Sequence, residues 1–206
     1  MRAILLLAAL TVAAVPVTAQ NANLKRPTDW TVRFDKPAPD SAIYFVDMPP
    51  GWHITTGPAA ILYNPDDAAR GTYTLHSEIY LFPGEYREGY GVFFGGQDLA
   101  GDGQAYTYFL LRKDGQFLVK QRTGEETATL IPWTANDAIV PHTGGEDPVK
   151  NMIDVKVGAS DVAFMVNGTE VGRFEKAKVS TDGVFGLRIN HRLNVHVTTL
   201  TAEQGS

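Results

Sequence analysis

The sequence predicts an all-β protein, an antiparallel sandwich or barrel. Three observations predict it. Short segments of alternating apolar and polar residues recur, with turn signals between them roughly every 8–12 residues. Two turn dipeptides, Asp114-Gly115 and Asn167-Gly168, each join a pair of such segments as a hairpin. No stretch of about ten residues carries a convincing amphipathic helical pattern. Together these features predict about ten to twelve strands in one domain.

Taken in order, residues 1–19 read as a signal peptide. Arg2 supplies the basic start, Ala3 to Val15 is an apolar run of 13 residues, and Val17-Thr18-Ala19 offers small residues for cleavage after Ala19. The run is short of the roughly 20 residues a bilayer span needs. An exported protein, periplasmic or secreted and without a transmembrane anchor, is expected. Residues 20–40 form a polar extension broken by Pro27, Pro37 and Pro39 around one strand at Trp30–Phe34. Residues 41–206 form the main domain. One helical turn is expected at Pro65–Arg70, with Asn64 as its cap.

Strands are expected at Gly71–Phe82, Gly89–Gly95, Ala105–Arg112 and Phe117–Arg122. They continue at Asn151–Val157, Asp161–Val166, Glu170–Phe174, Val184–Asn190 and Asn194–Leu200. Alternation sends Leu75, Ile79, Phe109, Leu111, Phe185, Leu187 and Ile189 inward.

Composition narrows the chemistry. The 206 residues are 44% hydrophobic and 20% charged, so a core forms without staples. No cysteine is present, which excludes disulfides, thiolate metal sites and a cysteine nucleophile. A net charge of −5 argues against nucleic acid as a partner.

The segment NMIDVKVGASDVAFMVNG (residues 151–168), a return strand and DGVFGLRINHRLNVHVTTL (182–200) resemble the C-terminal half of laminin-G-like domains. More closely they resemble the bacterial exported 3-keto-disaccharide hydrolase-type domains of the concanavalin A-like lectin/glucanase superfamily. Gly51-Trp52, GYGVFFGGQDL and YFLLRKDGQF fit the same pattern, so the resemblance spans roughly residues 42–201. It implies a jelly-roll sandwich of two antiparallel sheets. It also implies a carbohydrate-binding, lectin-like module for an oligosaccharide or polysaccharide. Two alternatives stand beside it. One is a glycoside hydrolase or lyase acting on an oxidised (3-keto) disaccharide, with Glu78 or His76 as general base. The other is a structural or adhesive module with a protein partner.

Candidate site residues follow from the outward positions. His76, Glu78, Tyr80, Tyr106, Tyr108, Arg112, Arg188 and Asn190 are expected on the open face of one sheet. Rings stack on sugar faces, and carboxylate, amide and guanidinium groups bond the hydroxyls. Trp133 is a further stacking candidate and His191 a rim contact, while Trp52 is expected in the core. The E-x-D-x-E arrangement of the superfamily's glucanases is absent. A pair such as Glu78 with Asp154 is the remaining two-carboxylate option. His53 and His196 lack zinc-site spacing. No cofactor is required by any motif. Calcium is the one candidate ion, at Asp98 and Asp102 in a glycine-rich loop or at Asp66-Asp67, although turn chemistry also places Asp beside Gly.

Overall fold

The structure is a computed structural model that describes residues 24–205. The expected signal peptide lies outside the described residues. The strands are β1 (Thr31–Phe34), β2 (Ile43–Asp47), β3 (Trp52–Thr56), β4 (Ala60–Tyr63) and β5 (Ala68–Ala69). They continue as β6 (Tyr73–Leu81), β7 (Gly89–Gln97), β8 (Ala105–Arg112), β9 (Gln116–Thr123) and β10 (Glu126–Ala135). The last are β11 (Val149–Val157), β12 (Asp161–Val166), β13 (Thr169–Glu175), β14 (Gly183–Ile189) and β15 (Asn194–Gln204).

Two antiparallel sheets face each other. The front sheet runs β1-β4-β14-β7-β8-β9-β10, with β5 also paired to β14. The back sheet runs β13-β12-β11-β6-β15-β3-β2. The inward residues predicted by alternation all lie in the core between the sheets: Leu75 and Ile79 from the back, Phe109, Leu111, Phe185, Leu187 and Ile189 from the front.

The two sheets differ in what covers their outer faces. β6 in the back sheet alternates strictly between buried and half-buried residues. β7 and β8 in the front sheet are buried almost throughout. A second apolar layer, including Ile61, Tyr63, Phe93, Leu99, Tyr106, Tyr108, Leu110 and Leu118, lies on the front sheet's outer side. Strands buried on both faces read as unbroken apolar runs, as GYGVFF and YFLL do here. Bare glycine backbone makes room for that layer. A Cβ at Gly186 would sit 2.4 Å from the Leu62 carbonyl oxygen and 2.5 Å from the Phe93 ring.

Several expectations are corrected. Pro65–Arg70 is not a helical turn. The Asn64 side chain accepts the Asp66 N–H at 3.0 Å and closes a tight turn. Ala68 and Ala69 then pair with Val184 and Gly183, because the β14 edge offers unpaired backbone groups there. Among the described residues there are fifteen strands, more than expected. The strands expected from the sequence do not include β2, β3, β4 or β10. The strand at Trp30–Phe34 is present as β1 and is built into the front sheet beside β4.

The Asn167-Gly168 hairpin is as expected, with positive φ at both residues (49° and 82°). The other turn is different in kind. Residues 113–115 form a three-residue loop in which Gly115 alone takes positive φ, 77°. Trp52 packs half-buried at the core margin, its ring 4.7 Å from that of Trp30.

Candidate functional site

A buried cation lies in the front sheet's outer layer. Leu187 and Ile189 point into the core, so Arg188 between them points outward. Its neighbour across the ladder in β7 is Gly91, where a Cβ would sit 2.2 Å from the Phe109 carbonyl oxygen. The guanidinium lies 5.6 Å from the centre of the Tyr108 ring, and Arg188 is only 6% exposed. A charge this buried needs a partner. Asp35, the residue after β1, supplies it with both oxygens, at 2.6 and 2.5 Å. The Asp35 N–H donates to the Ala59 carbonyl at 3.0 Å, which fixes the carboxylate's approach.

Arg122 from β9 comes within 3.5 Å of the same carboxylate. Burial pushes the Asp35 carboxyl up. The hydrogen bonds and charge of Arg188, with the charges of Arg122 and His191, outweigh burial and hold it below 3.8. Burial raises the Tyr106 and Tyr108 phenols beside it.

This cluster lies beside a cleft of about 710 Å³, lined by Arg33, Asp35, Pro37, Ala38, Asp102, Gln104, Arg122 and Glu125 among others. Gln104, its amide oriented by its neighbours, accepts from Arg33 at 3.0 Å and Arg122 at 3.3 Å. Arg33 also donates to the carbonyls of Leu99 and Gly101, at 2.6 and 2.7 Å, and so ties the loop after β7 over the sheet. Donors and acceptors are therefore fixed in place around a recess that holds both signs of charge.

A polar chain leads away from Arg188. Its Nε donates to Asn190 at 3.1 Å, and Asn190 donates to Glu88 at 3.4 Å. His191, exposed at the loop tip, lies 3.9 Å from Glu88. Arg112 sits 4.4 Å over the Trp133 ring and bonds both oxygens of Asp114 at 2.8 Å. Trp133 is thus a ring roofed by a guanidinium, half-buried on the same face.

The structure brings together Tyr106, Tyr108, Arg112, Trp133, Arg188, Asn190 and His191 on the front face. His76, Glu78 and Tyr80 are not with them. They lie on β6, on the outer face of the back sheet. Alternation gave their inward or outward sense correctly, but a single sheet for all eight outward residues does not hold. On the back face His76 pairs with Asp154 at 2.5 Å, and Glu78 pairs with Lys150 at 3.1 Å and Thr198 at 2.9 Å. Burial raises the Glu78 carboxyl, but Thr198 and Lys150 outweigh it and the net shift is downward. Glu78 and Asp154 are diagonal neighbours on β6 and β11, each already bonded to another side chain.

Asp35, Arg33, Gln104 and Arg122 are not among the site residues the sequence nominates. Their signal was present: in TVRFD and in LVKQR the same alternation points Arg33, Asp35 and Arg122 outward. Of the calcium candidates, Asp98 accepts the Gly103 N–H at 3.0 Å within its own turn, while Asp102 lines the cleft. Asp67 is raised by burial and by the like charges of Asp29 and Asp66. Among the described residues no three His, Cys, Asp or Glu side chains form a group fit to hold a metal ion.

No protein-family model and no curated protein matches this sequence. Solved structures do. The carbohydrate-binding module CBM66 from Bacillus subtilis aligns with a TM-score of 0.63 at 13% identity, over 86% of this chain and 96% of that one. A Bacillus subtilis protein of unknown function with a galectin-like fold aligns at 0.61 and 12% identity, over 85% and 89%. A Bacteroides ovatus GH16 from a mixed-linkage glucan locus, in complex with a G4G4G3G product, aligns at 0.61 and 7%, over 87% and 97%. The fold these structures share with this chain is a jelly-roll β-sandwich of two antiparallel sheets.

Proposed function

We propose that this protein is an exported carbohydrate-binding module whose ligand occupies the front-face cleft. The observation that carries the reading is the cleft itself. It has a fixed array of Asp35, Arg33, Arg122 and Gln104, braced from behind by buried Arg188 and the two tyrosines. Paired guanidinium and carboxylate groups suit the vicinal hydroxyls of a sugar, which both donate and accept. A saccharide-binding module and a glycoside hydrolase among proteins of this fold support the same ligand class.

Binding is favoured over hydrolysis because the E-x-D-x-E acid arrangement is absent from the sequence, and two lowered carboxyl groups do not replace it. A general acid for glycoside cleavage needs its pKa raised. Asp35 in the cleft and Glu78 on the back face are both shifted down. The 3-keto disaccharides suggested by the sequence resemblance are the first small ligands to try.

The test is an oligosaccharide array followed by calorimetry on the best hit. Selective binding is expected, and Arg122→Ala with an unchanged circular dichroism spectrum should weaken it about tenfold, as loss of a charge-assisted hydrogen bond does. A blank array, or full affinity in Arg122→Ala, rejects the cleft as a sugar site. Turnover of a 3-keto disaccharide would favour the hydrolase instead.

A further inference from the structure

The outer face of the back sheet carries a row of rings that the front cleft does not use. Tyr44 on β2, His53 on β3, His196 on β15 and Tyr80 on β6 follow one another across four neighbouring strands. Successive ring centres are 6.1, 6.1 and 6.5 Å apart. Register explains the alignment. His196 stands directly opposite His53 on one side and Tyr80 on the other. Residues opposite one another share a face of the pleat, so three strand spacings carry the row over ~14 Å.

The row ends at Lys150, whose ammonium lies 5.9 Å from the Tyr80 ring. Beside the rings runs a polar strip in which Glu78 accepts from Lys150 and Thr198. His196 donates from Nε2 to the Pro50 carbonyl at 2.9 Å, which holds its ring in place. Tyr44 is 49% exposed at the open end of the row.

We propose that this stripe is a second saccharide-binding surface, one that takes one side of an extended, uncharged glycan chain. The rings are tilted from one another, by 67°, 36° and 58° along the row, so they form a twisted line that meets successive sugars with faces and edges, while the adjacent carboxylate, ammonium and hydroxyl suit the sugar hydroxyls. The ammonium of the strip is paired within it, Lys150 with Glu78, so the strip has no basic excess to offer a polyanion. A lipid surface would call for a basic excess, and a protein hot spot for apolar anchors. Among the described residues the exposed large apolar side chains are Tyr44, Tyr86 and Val140, and only Tyr44 belongs to this row. The stripe stands on its own residues, on the sheet opposite the cleft, and does not require the cleft to be a sugar site.

The test is co-sedimentation at neutral pH with insoluble cellulose, chitin and β-1,3-glucan, using wild type, Tyr44→Ala, Tyr44→Phe and Arg122→Ala. Wild type is expected to sediment with at least one of the three. Tyr44→Ala, a change at an exposed site, should weaken binding about threefold to tenfold, and Tyr44→Phe should restore it. Three outcomes overturn the stripe: wild type remaining soluble with all three polymers, Tyr44→Ala binding as tightly as wild type, or Arg122→Ala alone losing sedimentation. The last would place the polymer in the cleft. An empty oligosaccharide array together with Tyr44-dependent sedimentation would reject the cleft and keep the stripe.

Discussion

The outer faces of the two sheets solve the same problem in opposite ways. On the front sheet, polar groups are sunk beneath an apolar layer, and Arg188 survives there because Asp35 meets it with two oxygens. On the back sheet, polar groups stand in solvent as short pairs such as His76 with Asp154. A buried charge that loses its partner is costly, whereas a half-exposed pair is worth little because water already solvates both ends. The front face should therefore fail sharply under mutation and the back face hardly at all in stability.

The largest expected effect is at Asp35. Asp35→Ala leaves the Arg188 guanidinium buried and unpaired, and should cost about 3–5 kcal/mol in urea unfolding. An effect below 1 kcal/mol would mean that the cluster is wet, and the contrast between the faces would disappear.

Next comes the backbone beneath the layer. Gly186→Ala would drive a methyl group against the Leu62 carbonyl and the Phe93 ring, and should destabilise by about 1–3 kcal/mol. Stability equal to wild type would show that Phe93 moves aside freely.

A third prediction concerns acid. Burial and the neighbouring His196 hold the His53 imidazole below 6.5 in the folded protein. The folded state then binds fewer protons than the unfolded one, so the contribution is present above 6.5 and is lost as pH falls below it. The thermal midpoint should drop between neutral pH and pH ~5, and His53→Phe should flatten that part of the profile. An unchanged slope in the variant would assign the acid loss to other groups, Asp35 first, whose lowered pKa acts the same way at lower pH.

The smallest effect belongs to the back-face pair. His76→Gln should change stability by less than about 1 kcal/mol at neutral pH, because both partners are partly solvated. A larger loss would move this face toward the front-face class.

Much of the fold was legible in the residues. Leu75, Phe109 and Leu187 were assigned to the core because a strand alternates, and they are there. Asn167-Gly168 was read as a turn because both residues tolerate positive φ, and both adopt it. β4 and β10 escaped notice. All four residues of β4 are buried, so its run AILY shows no alternation, and β10 is an edge strand with little buried surface. Of the site, the residues on β8 and β14 are legible, while for Asp35 alternation shows the outward sense and not the partner. Asp35 follows a four-residue strand in a stretch that reads as a polar extension, and its partner Arg188 is 153 positions away.

By itself the sequence determined the all-β class, the inward and outward sense of β6, β8 and β14, and one hairpin with its turn. It also held, unread, the clue that separates the sheets: YTLHSEIYL alternates, while GYGVFF and YFLL do not. Only the tertiary structure decided that Tyr80 and Arg188 face opposite sides of the molecule, and that Asp35 meets Arg122 and Arg188. The reason is physical. Alternation belongs to a single strand and follows from local backbone geometry. Which strands become neighbours is settled by hydrogen bonds between segments far apart in the chain, as when β14 pairs with β7 and β6 lies between β11 and β15.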